Sequence, residues 1–338
     1  VTQGSHPIFI LRNTEDVSFM RRDSLLLLLL LVAAACGSDG TTTTIASSDS
    51  TTTTVGATTA TVETGFPVTV QAANGAVEIA SMPTAIISLS PSATENLFAI
   101  GAGSQVAAVD DQSDYPDEAP VTDLSGFTPN LESILSYEPD LVVITYDPGD
   151  LIAGLEAVGV PTLLLPSATS VNDAFVEIET LGVATGHVGE AAEVVLAMQT
   201  EIDEVVAEFG DHLSGVTIYH EVDNTLYSVS SSSYVGELYS LLGLVNIADE
   251  ADPDGFGYPQ LSPEYIVSED PDVILLADAA YGESIDSLRE RPGWADMTAV
   301  QSGAVIEIDP DLASRWTPRS VEFLREVAGA MALLVPAG

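Results

Sequence analysis

Residues 130–145, NLESILSYEPDLVVIT, and residues 262–277, SPEYIVSEDPDVILLA, follow one pattern at an offset of 132 positions. Each segment reads as a helix, then an acidic residue followed by Pro-Asp, then an apolar run with the length of a buried strand. A motif of this complexity that occurs twice indicates that the chain contains two related halves.

A second pair of segments supports the duplication. TENLFAIGA at 94–102 and GELYSLLGL at 236–244 recur in the same order at an offset of 142, and this aligns Glu95 with Glu237. Around these segments, apolar strands alternate with helices, a pattern typical of a parallel sheet covered on both faces. We therefore expect an α/β protein with two related lobes.

The segment between the two halves predicts one long helix. Its apolar residues recur at three-to-four spacing and are Val194, Val195, Met198, Ile202, Val205, Val206 and Phe209. The predicted layout is an N-terminal lobe at 65–185, a connecting helix at 186–213 and a C-terminal lobe at 214–338. Because ligands bind beyond the carboxyl ends of strands in open α/β sheets, two facing lobes predict a ligand cleft between them.

Two further β predictions are local. FPVTVQAANGAVEIASMP, at 66–83, reads as a hairpin that turns at Asn74 and Gly75. TLYSVS, at 225–230, reads as a strand of the C-terminal lobe, where strands and helices alternate again.

The composition is strongly acidic. Eight basic residues, all arginine, stand against 51 Asp and Glu, which gives a net charge of -43. Such a chain lacks the basic surface that binds phosphate backbones, so a nucleic-acid partner is excluded. The acidic residues predict a well-solvated surface suited to a saline medium.

Residues 20–35 have the layout of a lipoprotein signal peptide. Two arginines precede a short apolar run, and three alanines lead to Cys36, the only cysteine. The cysteine after small residues resembles a bacterial lipobox, although Ala33 stands where leucine is usual, and it predicts lipidation of Cys36. The alternative is an ordinary signal peptide with a free thiol at this position.

The segments on either side of this signal complete the N-terminal prediction. Residues 1–19 read as sequence upstream of a start at Met20. Residues 36–64, rich in Ser, Thr and Gly, read as a flexible tether. The globular part is therefore expected outside the cytoplasm, anchored to the membrane through lipid at Cys36.

Motifs of catalysis and metal binding are missing from the sequence. No G-x-S-x-G, H-E-x-x-H or P-loop pattern occurs, so no enzyme activity and no cofactor are expected. The four histidines do not have the spacing of metal ligands. EADPDG, at 250–255, begins like a calcium loop but has Leu261 where glutamate is needed.

The segments IISLSPSATENLFAIGAGSQVAAVDDQSDYP and NLESILSYEPDLVVI resemble the iron-siderophore and vitamin B12 class of substrate-binding proteins of ABC importers. The resemblance covers about residues 84–335. It implies two Rossmann-like lobes joined by a single backbone helix, and a permease dimer with its ATPase as partners. SDYP, PQLSPEYIV and PDLASRWTPR are most similar to the cobalamin-binding branch. A ferric siderophore or haem is the alternative ligand, and a cell-surface sensor or adhesion lipoprotein is the alternative of another class.

The same resemblance implies the site residues. The predicted ligand-binding residues are Tyr115, Phe127, Tyr146, Tyr258, Asp311 and Arg315. Flat aromatic faces and a few hydrogen-bonding groups suit a corrin ring, which is a broad apolar disc fringed with amides. Trp316 is expected to pack beneath, and Arg319 to tie the last helix to an acid. The alternative for Arg315 is a buried structural ion pair.

Glu132 and Glu264 form another matched pair at the offset of 132. The resemblance implies that one glutamate on the outer surface of each lobe docks into the permease. The repeat places one on each half, as a two-subunit permease requires.

Overall fold

The computed structural model describes residues 65–335, so the signal peptide and tether predictions lie outside the described residues. The described part begins with an antiparallel hairpin, β1 (Val68–Ala72) and β2 (Gly75–Ile79). The turn between the strands contains Asn74, and Gly75 adopts a positive φ of 106°. The predicted hairpin is present.

The first lobe is a four-stranded parallel sheet with helices between its strands. In chain order it contains β3 (Ile86–Leu89), α1 (Pro91–Ala99), β4 (Val106–Val109), α2 (Leu131–Leu135), β5 (Leu141–Ile144), α3 (Leu151–Glu156), β6 (Thr162–Leu164) and α4 (Val171–Thr185). The strand order is β4-β3-β5-β6. β3 and β5 are fully buried, as strands of a sheet covered on both faces must be.

A single long helix, α5 (Val188–Leu213), connects the lobes. Its buried face carries Ala191, Val195, Met198, Ile202, Val205 and Leu213. This face packs against α4 of the first lobe and against the last helix of the second. The three-to-four spacing in the sequence therefore marks a helix with one buried stripe.

The second lobe repeats the first. It contains β7 (Thr217–Glu221), α6 (Tyr234–Leu241), β8 (Val245–Asn246), α7 (Pro263–Glu269), β9 (Val273–Leu276), α8 (Ile285–Glu290), α9 (Thr298–Ser302), β10 (Val305–Glu307), α10 (Pro310–Ser314) and α11 (Arg319–Leu334). Its strand order, β10-β9-β7-β8, is that of the first lobe when β7 is matched with β3 and β9 with β5. Two Rossmann-like lobes joined by one helix, as predicted, make up the fold.

The strand predicted at residues 225–230 is wrong. Leu226 has a positive φ of 67°, which a strand does not accommodate. Tyr227 forms only an isolated bridge to Gln260, and the amide N–H of Val222 donates to the carbonyl of Tyr227 at 2.9 Å. The segment is therefore a turn that folds back on the end of β7.

The helices of the described residues were compared with the length and hydropathy of a membrane span. Within residues 65–335, no helix combines the length and the apolar character that crossing a membrane requires.

Candidate functional site

A cavity of about 400 Å³ lies at the carboxyl ends of the first-lobe strands. Leu89 and Ser90 at the end of β3, Asp110 after β4 and Tyr146 after β5 line it from the first lobe. The second lobe contributes the segment 311–316 at the end of α10. The cavity therefore lies between the lobes, where an open α/β sheet binds ligands.

Two aromatic rings form the exposed part of the first-lobe side. Phe127 and Tyr146 lie with their centroids 6.3 Å apart and their planes tilted by 43°. Phe127 is 68% exposed, which is unusual for a phenylalanine that packs only for stability. These two predicted residues are brought together by the loops after β4 and β5, and they offer flat apolar faces to a ligand.

The inner part of the cavity is polar. Asp110 is buried, and the hydroxyl of Ser113 donates to it at 2.6 Å. Burial raises the pKa of Asp110 above its usual value. Ser90 caps α1 by accepting a hydrogen bond from the amide N–H of Ala93. Ser92, the second residue of α1, also lines the cavity. Sequence reasoning missed these small polar residues because each resembles an ordinary turn or capping residue.

Arg315 lines the cavity and also joins the two lobes. Its guanidinium donates to Glu95 at 2.9 Å and to Asp114 at 2.8 Å, and both acids belong to the first lobe. It also donates to the carbonyl of Gln112 at 3.1 Å and lies 3.2 Å from Asp311. Arg315 thus has the buried ion pair that was its alternative role, at a position that borders the cavity. Its contact with ligand stays a prediction.

Glu95 is the centre of this inter-lobe cluster. It is 4% exposed and accepts from Arg315 at 2.9 Å, from Arg319 at 2.9 Å and from the hydroxyl of Thr317 at 2.8 Å. Its repeat counterpart, Glu237, accepts the amide N–H of Val171 at the start of α4. In each lobe, therefore, a glutamate contacts the first residue of the last helix of the other lobe: Glu95 of α1 contacts α11, and Glu237 of α6 contacts α4.

Trp316 lies beside this cluster. Its indole N–H donates to Glu177 of α4 at 2.7 Å, and the amide of Asn96 donates to the same carboxyl at 3.3 Å. Glu177 is buried, and burial raises its pKa to about 8. Trp316 also lines the cavity, so its ring is close to any molecule bound there.

The other two predicted aromatic residues are not among those that line the cavity. Tyr115 borders a separate pocket with Phe98 and Pro318, and the guanidinium of Arg319 lies 4.0 Å from the centroid of its ring. Tyr258 is 50% exposed and follows Gly257, in the loop between β8 and α7. Four of the six predicted residues thus line the cavity, and these two do not.

Glu132 and Glu264 occupy equivalent positions. Each is exposed in the first turn of a short helix, Glu132 in α2 and Glu264 in α7. Among residues 65–335, no group of three or more His, Cys, Asp or Glu side chains has a geometry that could hold a metal ion.

Comparison with known proteins identifies the family. Residues 86–312 match the periplasmic binding protein family. The ABC transporter substrate-binding lipoprotein YvrC of Bacillus subtilis is 30% identical over 273 residues, which cover 78% of this chain and 85% of that protein. The chain belongs to the periplasmic binding protein family. Its members are binding components of ABC importers rather than enzymes, and they bind small molecules outside the cytoplasm.

Two further similarities are to proteins whose names state a ligand. The cobalamin-binding protein of Halobacterium salinarum is 28% identical over 276 residues, which cover 78% of this chain and 74% of that protein. The periplasmic haem-binding protein RhuT from Roseiflexus sp. RS-1 superimposes with a TM-score of 0.67 at 23% identity, over 75% of this chain and 99% of that chain. The second likeness shows the two-lobed fold alone. With the family match, these similarities identify the chain as an ABC-type substrate-binding protein.

Proposed function

We propose that this binding protein captures cobalamin or a related corrinoid between its lobes. The observation that carries the proposal is the inter-lobe cavity, with the aromatic pair Phe127 and Tyr146 on one side and Trp316 on the other. A corrin ring needs broad apolar faces with hydrogen-bonding groups at its edge, and Asp110 and Asp311 line the same cavity. The relative named as cobalamin-binding supports this choice of ligand.

The charges in the structure favour a neutral ligand over an anionic one. Every arginine in residues 65–335 is already in an ion pair; these are Arg289, Arg291, Arg315, Arg319 and Arg325. An anionic ferric siderophore or the propionates of haem would need one of these pairs to break, against a chain charge of -43. A corrinoid, whose edge is rich in neutral amides, does not.

The importer would be engaged through the matched glutamates. Glu132 and Glu264 are both exposed, and the repeat places one on each lobe. We propose that they dock onto the two permease subunits. Lipidation of Cys36, supported by the sequence around it, would hold the protein at the membrane where the permease lies.

Intrinsic fluorescence tests the ligand and its location together. The chain contains two tryptophans: Trp316 lines the cavity, whereas Trp294 is buried against Tyr219 in the second lobe. We expect cyanocobalamin to change the emission of the wild-type protein with a dissociation constant in the micromolar range or below. In Trp316→Phe, calorimetric binding should persist while the fluorescence change becomes smaller, because the tryptophan that lines the cavity is removed and Trp294 remains.

Haemin and a ferric hydroxamate complete the ligand panel. A response to these iron chelates without one to cyanocobalamin would replace the corrinoid by an iron ligand. A fluorescence change in Trp316→Phe as large as that of the wild type would contradict the placement of the ligand beside Trp316.

A further inference from the structure

The second lobe has acidic residues where the first lobe lines the cavity. The offset of 132 aligns Asp278 with Tyr146, directly after β9 and β5. The strand register aligns Glu221 with Leu89, because Glu221 pairs with Leu276 of β9 as Leu89 pairs with Ile144 of β5. Tyr146 and Leu89 both line the cavity. Because carboxyl ends of parallel strands share one edge of a sheet, Glu221 and Asp278 lie at the edge of the second sheet that corresponds to the cavity.

Asp278 differs from its neighbours because its carboxyl group has no partner. It is 3% exposed, and neither carboxyl oxygen has a hydrogen-bond partner among residues 65–335. Burial raises the pKa of Asp278 to about 7, with the nearby charges of Glu221 and Glu283 acting in the same direction. Buried polar groups are almost always paired, so one that is not calls for a partner from outside the described chain.

Arg291 cannot serve as that partner. Its guanidinium donates to both oxygens of Glu221 at 2.6 Å and to Glu283 at 2.8 Å. It also lies 4.5 Å from the centroid of the Trp294 ring. The hydroxyl of Tyr219 donates to Glu221 as well, at 3.1 Å. The polar groups around Asp278 therefore form hydrogen bonds with one another. The carboxyl group of Asp278 can accept a hydrogen bond from a bound molecule.

We propose that Asp278 is the accepting group of a subsite on the second-lobe side of the cleft, which takes an N–H donor of the ligand. The donor is a primary amide or an ammonium group. A ligand carboxylate is rejected, because the carboxylates of Asp278, Glu221 and Glu283 would repel it. Arg291, which could have attracted it, is already paired with Glu221 and Glu283. The proposal rests on the ligand cleft of the proposed function and narrows its ligand class to amide-bearing or cationic molecules.

The test uses substitutions at two positions that flank β9, Asp278 after its end and Asp272 before its start. Asp278→Ala removes the unpartnered acceptor and Asp278→Asn keeps one neutral acceptor oxygen. The matched control, Asp272→Asn, changes a carboxyl that accepts from the amide and hydroxyl of Thr217 at 2.9 and 2.8 Å. Isothermal titration with cyanocobalamin, haemin and a ferric hydroxamate gives the affinity, and thermal unfolding without ligand gives the Tm.

The expected results run in opposite directions for the two sites. Cyanocobalamin should bind Asp278→Ala at least about tenfold more weakly and Asp278→Asn by an intermediate factor, since a hydrogen bond to a charged group is the stronger one. Asp278→Ala should raise the ligand-free Tm by roughly 2–4 °C, because a buried group without a partner is removed, and Asp278→Asn should raise it less, because a neutral polar group stays buried there. Asp272→Asn should lower the Tm and leave the affinity unchanged.

The outcomes separate this inference from the proposed function. Tight cyanocobalamin binding that is unchanged in Asp278→Ala overturns the subsite and leaves the corrinoid proposal intact. A lower Tm for Asp278→Ala assigns the residue a structural role and also overturns the subsite. Binding of the ferric hydroxamate alone overturns the corrinoid, and the subsite then stands only if Asp278→Ala weakens that chelate at least tenfold. Binding of haemin alone, or of nothing, overturns both.

Discussion

Glu95→Gln tests whether the charge cluster at the base of the cleft joins the two lobes. The substitution keeps the size of the side chain and removes the charge that faces Arg315 and Arg319, each at 2.9 Å. Glu95 is 4% exposed, so water does not replace the lost interaction. The variant therefore leaves two cations of the second lobe without their shared buried anion.

The loss of stability depends on the contacts that Arg315 and Arg319 retain in the variant. Removing one charge of a buried pair costs about 3–5 kcal/mol. Arg315 retains Asp114 and Asp311, and Arg319 retains the face of Tyr115, so the lower end of this range applies. A loss of about 3 kcal/mol in the free energy of unfolding lowers the Tm by roughly 6–12 °C for a domain of this size.

The repeat supplies a matched control for this prediction. Glu237 is the counterpart of Glu95, but the neighbouring lobe offers it the backbone amide of Val171 rather than a cation. Glu237→Gln should therefore cost only about 1 kcal/mol, the value of an ordinary hydrogen bond. Urea unfolding of both variants measures the difference. Equal costs for the two substitutions would refute the idea that the charge cluster holds the lobes together.

The other predictions concern docking, ionisation and ligand contact. Glu132→Ala combined with Glu264→Ala should abolish uptake in cells that express the importer while the calorimetric affinity stays at the wild-type value; a loss of affinity would contradict the surface role. Burial raises the pKa of Glu177 from 4.5 to about 8. Between these pH values the folded state retains a proton that the unfolded state has lost. The free energy of unfolding should therefore fall as the pH rises through this window. Glu177→Gln should reduce this fall by at most about 1.4 kcal/mol per pH unit, and an identical pH profile for the variant and the wild type would show that Glu177 is not its source. Tyr146→Ala and Phe127→Ala should each weaken cyanocobalamin binding by roughly 5- to 30-fold, the loss of one aromatic contact of about 1–2 kcal/mol, and unchanged titrations would place the ligand elsewhere.

Much of the fold could be predicted because it rests on local patterns. The repeated helix, Pro-Asp and apolar run marks β5 and β9 as equivalent strands, and the three-to-four spacing of apolar residues marks α5. The strand prediction at 225–230 failed because Leu226 takes a left-handed backbone conformation, which a strand does not accommodate. That conformation depends on the fold around it rather than on local propensity.

The site was less predictable because its polar contacts join distant parts of the chain. The partner of Arg315, Glu95, lies 220 positions away, and the partner of Trp316, Glu177, lies 139 positions away. No local pattern connects such residues. The repeat did contain one usable signal, since it aligned Glu95 with Glu237 inside otherwise apolar helices, where an unpaired charge is costly.

The central claim is that one corrinoid binds between the lobes, and titration calorimetry tests it most directly. We expect cyanocobalamin to bind the wild-type protein with 1:1 stoichiometry and a dissociation constant in the micromolar range or below, and to compete with any weaker ligand of the panel. The absence of measurable cyanocobalamin binding, at protein concentrations where haemin or a ferric hydroxamate gives a saturating isotherm, would contradict the claim.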